Sequence, residues 1–305
     1  MTMQTTSHIL MIRPVRFGYN AETAVNNAFQ VAGADAGAQE KALAEFDGFV
    51  AALREAGVDI QVVPDTAEPH TPDSIFPNNW VSFHADGSLV MYPMFAVNRR
   101  LERNQNILDQ VRARFIVNRE IDLTHYENQD RYLEGTGSMV LDRTAKIAYA
   151  CISPRTNTDV LRDFCRHMEY NAVSFHAKDA GGQLIYHTNV MMCVADRYVV
   201  ICLDSITDVG ERRQVEEAIR HSAKEIIPIS LDQMNHFAGN MLQVSTRTGS
   251  QLLVMSSQAY ASLKPEQIAS LNRFNPILHA PLTTIETNGG GSARCMMAEI
   301  HLPAR

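Results

Sequence analysis

A short unit of strand, strand, helix and strand recurs along this chain, and the fold has to accommodate every copy. Apolar stretches come in pairs, at residues 80–83 and 88–92, 139–141 and 147–152, 190–194 and 198–203, and 241–244 and 251–255. Turn residues separate the members of each pair: Asp86-Gly87, Asp142-Arg143, Ala195-Asp196 and Thr248-Gly249. Each pair therefore reads as a β-hairpin. Apolar residues spaced at three and four follow, as in Leu108, Val111 and Phe115, or Leu161, Phe164 and Met168. Val215 with Ile219 and Ile268 with Leu271 repeat the pattern, which predicts a helix after every hairpin. A further strand is expected after each helix, at 115–117, 172–175, 226–229 and 277–282.

The two ends of the sequence complete a fifth copy. Residues 295–302 and 9–14 supply two strands. A helix is expected over 41–56, with Leu43, Phe46, Val50 and Leu53 on one face and Gly57 placed to end it, and 59–64 supplies the last strand. Corresponding points, Asn79, Ser138, Asn189, Asn240 and Ala293, lie 59, 51, 51 and 53 residues apart. The pattern predicts an α/β fold of five strand-strand-helix-strand units with pseudo-fivefold symmetry. This is a five-bladed α/β propeller in a single domain covering 1–305, whose radial repetition protects the sheet edges. An open α/β sheet with helices on its faces is the alternative that the pattern allows.

Composition narrows the function classes. The chain is 45% hydrophobic and 20% charged, which excludes disordered, collagenous and coiled-coil classes. A net charge of −7 without a basic run argues against nucleic acid or an anionic membrane as partner. Five cysteines, an odd number without a CxxC pair, argue against a disulfide framework and a thiolate zinc site; a reduced, cytoplasmic setting fits. Residues 1–15 do not read as a secretory leader, and no apolar run approaches the roughly 20 residues of a membrane span. HExxH, P-loop and GxGxxG patterns are all missing, so no metal site is expected.

Polar residues gather where each first strand begins. They are Asp73, Asn78 and Asn79; Glu134 with Gly135 and Gly137; His187 and Asn189; Asn235, His236 and Asn240; and then residues 288–295. A radial arrangement brings these points to one centre. A carboxylate, a histidine, several amides and a thiol would then meet there. Cys is the strongest common nucleophile once it is a thiolate. His moves protons near neutral pH, and a Glu can orient it and stabilise its charged form. Cys151, Cys165, Cys193 and Cys202 read as core packing. Cys295 differs, because it follows three consecutive glycines, Gly289 to Gly291, which let backbone approach a ligand closely.

These motifs resemble those of the amidinotransferase and arginine-deiminase superfamily, the pentein fold. The resemblance is closest to the branch of citrulline-utilisation hydrolases and dimethylarginine dimethylaminohydrolase-like proteins. Its carriers are Pro72-Asp73-Ser74-Ile75-Phe76-Pro77-Asn78-Asn79-Trp80, Asn98-Arg99-Arg100, Leu133-Glu134-Gly135, Tyr186-His187-Thr188-Asn189, Asn240, and Gly289-Gly290-Gly291 leading to Arg294-Cys295. It covers nearly the whole chain. It implies that Cys295 attacks the central carbon of a guanidino or ureido group. His187 would protonate the leaving amine and then activate water. Glu134 would hold His187 and contact the substrate nitrogens, and Asp73 would help bind the head group. No metal or organic cofactor is implied. The partner expected is a small amino acid, with a homo-oligomer open.

The departures from the family bear on the substrate. Dimethylarginine hydrolases carry an acidic pair where this chain has Asn78-Asn79, and arginine deiminases carry Asp where it has Asn189. Amides suit a neutral ureido group, which offers donors and an acceptor, so citrulline is favoured over arginine. Arg99 and Arg100 are candidates to anchor a substrate carboxylate, or simply begin a solvated helix. Arg294 beside the cysteine stands open between lowering the thiol pKa and a structural role. The rival readings are an arginine deiminase or amidinotransferase, and a catalytically silent binding protein of the same fold.

Overall fold

The computed structural model describes residues 3–27, 29–31 and 37–305; Met1 and Thr2, part of the stretch that does not read as a leader, lie outside them. Among the described residues, fifteen strands form five three-stranded sheets. The first joins β1 (His8–Arg13) and β2 (Asp59–Pro64) to a strand from the other end of the chain. The second holds β3 (Val81–Phe83), β4 (Ser88–Met91) and β5 (Arg119–Asp122). The third holds β6 (Val140–Asp142), β7 (Ile147–Cys151) and β8 (Asn171–Phe175). The fourth holds β9 (Met192–Val194), β10 (Tyr198–Ile201) and β11 (Glu225–Pro228), and the fifth β12 (Leu242–Ser245), β13 (Gln251–Ser256) and β14 (Ile277–Ala280). The last strand, β15 (Ala298–Glu299), returns to pair with β1.

Every sheet follows one scheme: its middle strand is antiparallel to the inner strand and parallel to the outer one. A parallel pair needs a long crossover. That crossover is supplied by α1 (Ala38–Glu55), α2 (Gln105–Arg112), α3 (Thr158–Met168), α4 (Val209–His221) and α5 (Pro265–Asn272). Local sequence marks their ends. Asn104, Asn157 and Asp208 accept bonds from backbone N–H groups in the first turns of α2, α3 and α4. After α1 the chain turns at Gly57, whose φ of +89° is disfavoured for other residues. The apolar faces of the helices pack on their sheets, as Phe46, Phe49 and Leu53 of α1 do against Ile9 and Ile60.

Neighbouring sheets touch in sequence order. β15 packs on β3, with a bridge between Phe83 and Ile300. The turn Gly135–Ser138 packs on β3, β6 on β9, and β9 on β12. The fifth sheet meets the first where the Ser245 N–H donates to Thr6 O at 3.0 Å. Each inner strand is preceded by one tight turn: Pro77–Asn79, Gly135–Ser138, Thr188–Val190, residues 237–240 and residues 292–295. All five turns are buried.

Two strand expectations are corrected. The outer strand of the second sheet is Arg119–Asp122, not 115–117. Phe115 is buried beside Leu108 and Val111, so its apolar run packs into the core; the paired segment beyond it is charged, with only Ile121 buried. The C-terminal strand shrinks to Ala298–Glu299, which leaves Cys295 in the turn before it. No helix among the described residues is long and apolar enough to cross a membrane.

Candidate active site

Residues in or just before all five tight turns bring chemistry to a shared cavity or to its immediate backing. The cavity is small, and Cys295, His187, Asp73, Asn79, Arg99 and Arg155 stand on its wall. Asn78, Glu134, Asn189 and Asn240 are buried behind that wall. Asn235 and His236 are exposed and take no part; they sit at the end of a short surface helix, Leu231–Asn235, and not in the turn that carries Asn240.

Cys295 is 5% exposed and receives two amide N–H groups, from Asn189 Nδ2 and Asn240 Nδ2, each 3.3 Å from Sγ. The glycines before it are explained by contact. A Cβ on Gly289 or Gly291 would lie 2.8 Å from the Phe76 ring, and Gly290 has φ of +64° at the end of helix Thr283–Gly289.

His187 Nε2 lies 2.7 Å from Glu134 Oε2. Burial opposes the Glu134 anion. Arg155, His187 and Arg99 together outweigh burial, and the carboxyl is held well below the usual range. An ionised carboxylate only accepts, so Nε2 carries the hydrogen and Nδ1 is left as the free base. Burial lowers His187 to about 4; Glu134 pulls the other way, while Arg155 and Arg99 add to the lowering. The imidazole is therefore neutral near pH 7. Glu134 Oε1 accepts the Phe95 N–H at 2.9 Å. Each Glu134 oxygen thus has one protein partner, His187 on one and the Phe95 N–H on the other.

Asp73 Oδ2 accepts from Asn20 Nδ2 at 2.8 Å and Thr23 Oγ1 at 3.1 Å. Its Oδ1 is buried without a partner among the described residues. Burial raises the Asp73 pKa, and Arg99 opposes that rise. Arg99 lines the cavity, but its fork closes on Glu102, with Nε at 2.8 Å and Nη2 at 3.0 Å, while Nη1 donates to Asn79 Oδ1 at 2.7 Å. No paired donors remain for a substrate carboxylate, which corrects its reading as an anchor. Arg100 donates to Met94 O and Phe95 O and holds the adjoining loop.

Sequence reasoning missed Arg155. It is buried, 3.5 Å from Glu134 Oε2, and its guanidinium lies 4.8 Å from the Tyr186 ring centre. Nη2 donates to Thr23 O at 2.7 Å and Nε to Asn26 Oδ1 at 2.7 Å. The repeat carried the signal: Arg155 falls between β7 and α3, just as Arg99 falls between β4 and α2. The segment at 20–30 was missed as well. Its residues Thr23 and Asn27 line the cavity, Asn20 Nδ2 holds Asp73, Asn26 Oδ1 holds Arg155, and Gln30 Nε2 donates to Asn288 O at 2.9 Å.

Five like-built sheets around a buried cysteine, histidine and glutamate define the class: a pentein of the guanidino-modifying superfamily, in its dimethylarginine hydrolase-like branch. The particular family follows from the sequence match. The family model described as N,N dimethylarginine dimethylhydrolase, eukaryotic, matches residues 13–302, and the chain belongs to that family of cysteine-nucleophile hydrolases. Solved structures show the same fold. ArgZ, an arginine dihydrolase from the ornithine-ammonia cycle in cyanobacteria, aligns with TM-score 0.76 and 19% identity, over 97% of this chain and 41% of that one. The chain thus spans less than half of full-length ArgZ. The N-terminal domain of ArgZ, in a cysteine-to-serine mutant bound to substrate, aligns with TM-score 0.77 and 18% identity, over 97% and 98%. A dimethylarginine dimethylaminohydrolase adduct with S-methyl-L-thiocitrulline aligns with TM-score 0.64 and 14% identity, over 98% and 100%. No match was found among curated proteins.

Proposed function

We propose that this protein hydrolyses a C–N bond at the terminal guanidino or ureido carbon of a small free amino acid, through a covalent adduct on Cys295. The five sheets would close into a five-bladed α/β propeller, with residues 1–305 as one pentein domain. The five free cysteines fit a cytoplasmic setting. Cys295, His187 and Glu134 are the catalytic residues of this reading. His187 Nδ1 takes the thiol proton, and Glu134 stabilises the imidazolium. Sulfur bonds to the central carbon; a C–N bond breaks as His187 returns the proton to the leaving amine. Water, deprotonated by His187, then displaces the sulfur.

Arginine is the leading substrate. The observation that carries it is Asp73 Oδ1, a buried carboxylate oxygen on the cavity wall without a partner among the described residues. A cationic N–H donor satisfies such a group best. Relatives named as arginine dihydrolases support the same choice. Citrulline is the second reading. Its support is that, among the described residues, Asp73 is the one carboxylate lining the cavity, against the guanidiniums of Arg99 and Arg155, with amides at Asn78, Asn79 and Asn189.

Ammonia release with arginine and with citrulline, measured side by side with products identified by mass, tests this. Turnover of arginine supports the leading reading, and citrulline alone supports the second. Silence with both, and no adduct mass on Cys295, would overturn the proposed activity.

A further inference from the structure

We propose that Asn240 is a positioning residue for the nucleophile: its amide, aimed by two backbone groups, holds Cys295 Sγ as the anion. The inference rests on Cys295 being the nucleophile. Sequence reasoning put Asn240 among substrate-binding residues, but its donors are already employed. Nδ2 lies 3.3 Å from Cys295 Sγ and 2.9 Å from Asn189 O. Oδ1 accepts the backbone N–H of Arg294 at 3.0 Å.

An asparagine's oxygen and nitrogen are told apart only by their partners. Here the partners leave no choice. The Arg294 N–H can only donate and the Asn189 carbonyl can only accept, so the NH2 end must face the sulfur. A thiolate accepts such a bond much more strongly than a thiol does. Asn189 Nδ2 supplies a second N–H, but no backbone group fixes that amide in the same way, and its Oδ1 has no partner.

The neighbouring charge does not do this work. The Arg294 guanidinium turns away from the sulfur to Met297 O and Glu299 Oε2, both at 2.8 Å. The titratable and charged groups on the cavity wall are His187, Tyr186, Asp73, Arg99 and Arg155, with Glu134 behind His187. Glu286 reaches the nucleophile turn through Ser292 Oγ. A change at Asn240 alters none of these groups chemically.

The test is the rate of Cys295 alkylation by iodoacetamide against pH, followed by peptide mass, together with kcat, KM and melting temperature. It compares wild type with Asn240→Ala, Asn240→Asp and Asn240→Ser. Loss of one N–H bond to a charged acceptor should move the alkylation midpoint up by about one pH unit in Asn240→Ala. Asn240→Asp should move it further, and Asn240→Ser, which keeps an O–H donor, less. The high-pH plateau should stay at the wild-type level. At neutral pH kcat should fall roughly tenfold with KM little changed. A common, unmoved midpoint in all three variants would overturn the proposal. So would a KM increase at constant kcat, which restores a substrate-binding role. A variant that melts early and loses its plateau would count for a merely structural role. Failure of the nucleophile reading is distinct: wild-type Cys295 would then alkylate at neutral pH no faster than buried Cys193.

Discussion

Replacing Gly137 by alanine adds one carbon at the tightest point behind the catalytic histidine. The new Cβ would lie 2.4 Å from Asn79 Nδ2, and 2.8 and 2.9 Å from His187 Nδ1 and Cε1. Ordinary contact begins near 3.4 Å. The ring would therefore have to retreat by about 0.6 Å and the amide by about 1 Å. Neither has room. His187 is tied to Glu134 at 2.7 Å, and the Tyr186 ring centre lies 4.7 Å from its own. Asn79 is tied to Arg99 at 2.7 Å. Overpacking of this kind costs about 1–3 kcal/mol, a fall in melting temperature of roughly 2–5 °C for a chain of this size. Displacing a catalytic group by 0.5–1 Å should lower kcat by about tenfold to a hundredfold. The control is Gly48→Ala, the same chemical change on the exposed face of α1, where a Cβ meets nothing within 4 Å. It should raise the melting temperature slightly and leave kcat alone. Steady-state kinetics and thermal melts on both variants decide the matter. A Gly137→Ala protein with wild-type kcat would refute the reasoning.

Three further outcomes are expected. Cys295→Ser should bind substrate and keep its fold but show no turnover and no adduct mass, because a serine hydroxyl here lacks thiolate character; retained activity would end the covalent mechanism. Arg155→Met should cost about 3–5 kcal/mol, since it leaves the Glu134 anion buried without its guanidinium, and activity should fall with it; an equally stable variant in a denaturant titration would disprove the pairing. Burial holds both His187 and His301 near 4, with like-charged arginines adding to the effect. The unfolded chain protonates these histidines first, from about 6.5 downward. Their contribution is thus complete above that pH and is lost between about 6.5 and 4. Melting temperature should fall across this window, and less steeply in His301→Gln; a flat profile in the wild type would contradict it.

The repeat was legible because each hairpin is short, apolar and punctuated by turn residues. The parallel outer strands were harder. Arg119–Asp122 carries three charged residues, so only its pairing with β4 reveals it as a strand. The convergence of Cys295 and His187 on one cavity followed from repeat position alone. What each polar atom does there did not. Arg99 looks like an anchor until Glu102, three residues on, is seen to occupy its fork. Nothing in the sequence around Glu134 shows that its second oxygen takes the Phe95 N–H. Arg155 was legible only through its place in the repeat, which matches that of Arg99; Asn20, Thr23 and Asn27 reach the site from a stretch outside the repeat, with no periodicity to announce them.

The pairing of β15 with β1 sets Leu10 against Ala298. Loops that long are the most expensive in entropy to close, and contacts between distant residues form late. Synthesis delivers β1 first. Its apolar residues Ile9 to Ile12 would carry an open sheet edge until the last strand arrives. Cys295 lies three residues before β15, so the nucleophile is set by the same late event. During its own manufacture the chain is thus exposed to mispairing with other chains for as long as it is inert, and one closure ends both conditions.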